Sequence, residues 1–202
     1  MADGDFWLVS FGLWNMARDA SVRAGLSLPD PSSNPTSDAT VAVVMAAASA
    51  EAFINELAYL LGRLDEPEEP SKAFVAAVSQ LEAERAPTTL KYLVASLILS
   101  GKMLDRGRQP FQDFSDLMRL RNAIMHLDPS GPPGVYKRFL RSPLSHSYED
   151  EGGLLWLLDI QTEKMAEWAC DAAFNIVCTV RDMVPEWAHW RVLPTFNGYW
   201  VR

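Results

Sequence analysis

Val43, Ala46, Ala50, Phe53, Ile54, Leu57, Leu61 and Leu64 recur every three or four residues along one segment. That period belongs to a helix, and an apolar stripe of this length has to be covered by other elements. The same spacing returns elsewhere. Residues 5–25 carry Phe6, Phe11, Leu13 and Trp14, and residues 88–103 carry Leu90, Leu93, Val94, Leu97 and Ile98. Residues 160–184 place Met165, Trp168, Ala169, Ala172, Ile176, Val177, Val180 and Met183 on one side. Strand alternation is nearly absent, so the expected fold class is an all-α helical bundle.

Punctuation residues divide these segments. Ser37 or Asp38 is expected to cap a helix running to Leu64, after the loop 26-LSLPDPSSNPTSD-38. The acidic turn 65-DEPEEP-70 ends it, and Ser71 is expected to cap the next helix, to Glu84. Pro110 suits the first turn of a further helix, and Pro129 disfavours helix at Asp128, so that helix should end near Leu127. A Pro/Gly-rich loop over 128–153 follows, and Pro185 closes the last helix. The expected organisation is an N-terminal helix and loop over 1–37 packing on a bundle, a helical domain over 38–184, and a tail over 185–202. The tail holds Trp187, Trp190, Phe196, Tyr199 and Trp200, too many aromatics for a solvated end.

Composition narrows the function classes. The net charge is −8, which argues against a protein that coats duplex DNA by charge alone. Cys170 and Cys178 are the only cysteines, and two free thiols fit a reducing cytoplasm. His126, His146 and His189 are scattered without paired ligand spacing, so no metal and no cofactor are expected. The run Phe6–Met16 follows Asp3 and Asp5 instead of a basic stretch, unlike a signal peptide. Val41–Leu61 contains Glu51, Asn55 and Glu56, which a membrane span would have to bury, so a soluble helix is expected and no membrane partner.

The segment 114-FSDLMRLRNAIMHLDP-129 carries the candidate chemistry. At about 100° per residue, Phe114, Leu117, Met118, Ile124 and Met125 share a broad face with Arg121 among them. Asn122 and His126 are one turn apart and therefore neighbours, with Arg119 on their flank. A guanidinium on an apolar face requires a counter-charge. Glu51, paired at helical spacing with Asn55, is the expected carboxylate for Arg121.

The hexapeptide 121-RNAIMH-126 resembles the Arg-x4-to-6-His signature of the HEPN superfamily, in which a polar residue, often Asn, follows the Arg. The preceding 114-FSDLMRL-120 and the AxxEAFINEL-like helix around Glu51 are similar to family members as well, over about 38–184. The resemblance implies a HEPN-like helical bundle that forms a two-fold homodimer, with signature helices facing across a cleft. It implies a metal-independent endoribonuclease that cleaves single-stranded RNA, of the kind found among toxins and antiviral effectors, whose partners include a cognate antitoxin or inhibitor protein. In that chemistry the RNA supplies its 2′-hydroxyl as nucleophile. A histidine, whose side chain generally exchanges protons near neutral pH, moves the proton, while an arginine holds the phosphate. Arg121, Asn122 and His126 would be the catalytic residues, with Glu51, Asn55 and Arg119 in support. The loop 136-YKRFLR-141 offers Tyr136, Lys137, Arg138 and Arg141 to the strand by stacking and charge. The family also contains inactive members, so a non-catalytic helical dimer acting as a binding or regulatory module is the alternative reading.

Overall fold

The computed structural model describes residues 8–26, 38–64, 68–126 and 156–184. These residues are all-α, with no strand among them. In chain order the helices are α1 (Val9–Leu26), α2 (Asp38–Gly62), α3 (Glu69–Ala83), α4 (Thr88–Ser100), α5 (Phe111–His126), the single turn α6 (Trp156–Asp159) and α7 (Glu163–Arg181).

Local chemistry sets the boundaries. Asp38 opens α2, where its charge complements the helix dipole, and its Oδ1 accepts from Arg23 Nε at 2.9 Å. α3 starts at Glu69 with Pro70 in its first turn. Ser71, expected as the cap, instead lies inside α3. It is fully buried, and its Oγ has no hydrogen-bond partner among the described residues. α4 ends three residues before the expected Met103, because Gly101 turns left-handed at φ 71° and donates its N–H to the Leu97 carbonyl at 2.9 Å. α5 begins just after Pro110, one residue later than expected. Thr162 caps α7 by accepting the Met165 N–H on its Oγ1 at 3.1 Å. The turn α6, directly before it, is an element the sequence pattern does not announce.

The chain divides into two compact units. One comprises 1–12, 49–112 and 174–202, the other 13–48 and 113–173. In the first, Ala50, Phe53, Ile54, Leu57 and Leu61 of α2 are fully buried, as are Phe74 of α3, Tyr92 of α4 and Ile176, Val177 and Val180 of α7. α3 and α4 pack against each other. Tyr92 donates its hydroxyl to the Ala50 carbonyl at 2.9 Å, which satisfies the one polar atom of a fully enclosed ring. Glu56 reaches the first turn of α1, where its carboxylate accepts the Ser10 N–H at 3.1 Å and the Ser10 hydroxyl at 2.5 Å. A side chain from α2 thus serves orphan donors of another helix.

In the second unit, α1, α2 and α7 meet through small side chains: Ala20, Ala39, Ala42 and Ala166 form a buried cluster, with Ala24 and Val41 beside it. Without bulk at these positions, helix backbones approach closely. Phe114, Leu117 and Leu120 of α5, and Met165 and Ala169 of α7, are fully buried. Among the described residues, α2 alone is long and apolar enough to cross a membrane, yet more than half of its most apolar stretch is buried within the protein. The tail over 185–202 lies outside the described residues.

Two buried groups make stability depend on alkaline pH. Burial raises the Tyr92 hydroxyl well above its ordinary 10.0. Burial also raises the Cys170 thiol from 9.0 to about 11, against the opposing pull of a hydrogen bond with Ser21. Both folded values exceed the unfolded ones, so this stabilisation is complete below about pH 9 and is lost as pH rises beyond it. Urea titrations should show the midpoint falling above about pH 9, and Tyr92→Phe combined with Cys170→Ala should flatten that fall relative to each protein's own value at pH 7.

Candidate functional site on the fifth helix

The buried side of α5 shifts along its length. Phe111, Phe114, Leu117 and Met118 are buried over the first turns, and Leu120 and Ala123 are buried further on. The sequence period places Met125 on the apolar face, but it is 58% exposed, whereas Leu120 and Ala123, outside that face, are buried. The covered sector has rotated by the last turn. Arg119, Asn122, Met125 and His126 are therefore all in solvent, and Arg121 at their edge is half-buried. Asn122 and His126 face the same way, one turn apart, as their spacing predicts.

Arg119 sits 3.9 Å from Asp116 through its Nη1, a loose pair whose arginine is 71% exposed. An exposed contact of this kind contributes little and leaves the guanidinium free to swing toward a ligand. Arg121 is five residues from His126, about 140° around the helix, so only a bent stem brings its guanidinium toward the same ligand. Basic side chains near a helix C-terminus are favoured by the dipole, which is also a sufficient structural reason for His126 to stand there. Among the described residues, no group of three His, Cys, Asp or Glu side chains is placed to hold a metal ion.

The supporting residues fall elsewhere. Glu51 and Asn55, both half-buried on α2, belong to the other unit from Arg121, and each is described within its own. Asn55 is engaged there. Its Oδ1 accepts from Lys91 Nζ at 3.1 Å, and the same ammonium pairs closely with the Glu82 carboxylate. Lys91 is only 2% exposed. It is the buried polar residue that the sequence pattern misses, since nothing in 88-TTLKYLVAS-96 marks this lysine as enclosed; the only hint is its place beside Tyr92 and Leu93. Tyr136, Lys137, Arg138 and Arg141, expected to bind RNA, lie outside the described residues, as do His146 and His189.

The Lys91 contact is asymmetric, because Glu82 is 60% exposed and its partner is enclosed. Removing Glu82 strands a buried charge, whereas removing Lys91 leaves a carboxylate that water can solvate. Glu82→Ala should therefore cost about 2 kcal/mol in urea unfolding, and Lys91→Met, which keeps the stem's volume, less than about 1 kcal/mol. On α5, where Asn122 and His126 are exposed, alanine at either should change stability by less than about 0.5 kcal/mol. Any larger loss of activity would then not be a folding effect. No family model matches the chain, and it matches no curated protein and no solved structure.

Proposed function

We propose that the protein is a metal-independent endoribonuclease of HEPN type, with Arg121, Asn122 and His126 as its catalytic residues. The observation that carries this reading is the solvent-facing set at the end of α5: an imidazole and a carboxamide one turn apart, an exposed arginine beside them and a second arginine at their edge. A helix end placed only for stability has no need to leave these three kinds of group together in water. The signature-like 121-RNAIMH-126 supplies the chemical assignment.

In this mechanism the 2′-hydroxyl of a single-stranded RNA attacks the adjacent phosphorus. One His126 takes the hydroxyl proton. The P–O5′ bond breaks, and a second His126, from another copy, protonates the departing 5′-oxygen. The products are a 2′,3′-cyclic phosphate and a 5′-hydroxyl. Arg121 or Arg119 holds the phosphate and offsets the charge building on its oxygens, and Asn122 orients the imidazole or a phosphate oxygen. One imidazole per chain explains why two copies would be required. Toxin–antitoxin or antiviral defence is the biological setting this activity suits, with an inhibitor protein as partner and the cytoplasm as its place.

The second reading, a HEPN-like helical dimer that binds without cutting, is favoured by the −8 net charge and by the offset of Arg121 from His126. Incubation with end-labelled unstructured RNA in EDTA separates the two. The nuclease reading predicts cleavage by the wild type and a loss of about 10²-fold or more in His126→Ala, with helicity unchanged. Intact RNA at high protein concentration selects the binding module.

A further inference from the structure

The charge pattern of α4 is inverted. Its single ionised side chain, Lys91, is 2% exposed, while the residues it leaves in solvent are apolar: Leu90 at 36% and Leu97 at 45%, with Met103 at 54% just beyond its end. Val94, half-buried, lies between the two leucines. Positions 90, 94, 97 and 101 fall within one narrow sector and span about 16 Å along the axis. Leucines scattered over a surface need no account, but an uninterrupted stripe on a helix without any exposed charge does.

We infer that this stripe is the seat of a second copy of the chain, α4 packed antiparallel on α4 across a two-fold axis. Two properties single out that occupant. The stripe carries no charge, so meeting its own copy brings no like charges together, as an isologous contact requires. Its flanks are complementary when reversed. Before α4, Glu82 and Glu84 outweigh Arg85; after it, Lys102, Arg106 and Arg108 outweigh Asp105, and all of these side chains are exposed. An antiparallel arrangement sets the acidic end of one copy beside the basic end of the other and opposes the two helix dipoles, whereas a parallel one stacks like on like. In this register Val94 meets Leu97 of the other copy near the axis. Leu90 lies over Gly101, where a Cβ would meet nothing within 4 Å.

A stripe of one helix covers less than the ~1,200–2,000 Å² of a standard interface, so the association is weak, with a dissociation constant on the order of 100 µM. The inference does not rest on the proposed reaction.

Sedimentation velocity on the full-length protein from roughly 10 to 500 µM tests it, with thermal melting and helicity measured in parallel. The wild type should associate over this range. Leu97→Glu should weaken association about tenfold or more without changing the melting midpoint of the monomer, since the residue is solvent-facing there. Arg106→Glu should weaken it, and Glu84→Arg added to Arg106→Glu should restore part of the loss. A wild type that stays monomeric throughout overturns the inference. So does association that Leu97→Glu leaves unchanged, which would place the contact on another surface. A monomer whose melting midpoint Leu97→Glu lowers by several degrees also overturns it, because the stripe would then be covered by the chain's own residues, such as the aromatic run over 185–202.

Discussion

A charge taken out of water must be met by another polar group, and that requirement ties together the helices of the first unit. Lys91 is enclosed, so it draws the carboxylate of Glu82 at the end of α3 and the carboxamide of Asn55 on α2 onto a single ammonium. Glu56 does the same for the buried Ser10 at the start of α1. Tyr92 satisfies its hydroxyl on the α2 backbone. These contacts are few and directional, and they fix the pairing of helices that their apolar faces alone would leave interchangeable. The second unit uses the opposite device, an alanine cluster with nothing polar to satisfy, in which small size sets the approach of α1, α2 and α7.

Against that background the end of α5 stands out. Enclosed polar side chains elsewhere are committed to internal contacts, but Arg119, Asn122 and His126 remain in solvent, and Arg119 is held only by a loose pair to Asp116. Groups left in water retain their hydrogen-bonding and proton-transfer capacity for a ligand. The burial pattern explains how they come to be together: the covered side of the helix moves toward Leu120 and Ala123, and the sector that would have continued it opens to solvent.

Much of the fold was legible in the sequence because helix periods, prolines and Gly101 act locally. Helices over 38–62, 69–83, 88–100 and 111–126 follow from stripe and punctuation to within a few residues. The failures share one cause. Period says which residues share a face but not which faces neighbours will cover, so Met125 was expected inside while Ala123 and Leu120 were not. Ser71 looked like a cap by type, yet Pro70 could enter the first turn and moved the start of α3 ahead of it. A lone lysine reads as solvated by default, and only the fold reveals Lys91 as enclosed. The interleaving of the two units, with α1, α2 and α7 each passing between them, depends on long-range packing for which no local signal exists.

The account turns on whether the solvent-facing groups of α5 act on a phosphodiester through the substrate's own hydroxyl. An RNA oligomer cut at a mapped position, compared with the same oligomer carrying one 2′-deoxynucleotide on the 5′ side of that bond, measures this directly. The account predicts that the single deoxy substitution abolishes cleavage there and that the native fragment ends in a 2′,3′-cyclic phosphate. Cleavage of the deoxy-substituted bond, or fragments bearing a 5′-phosphate, would contradict it.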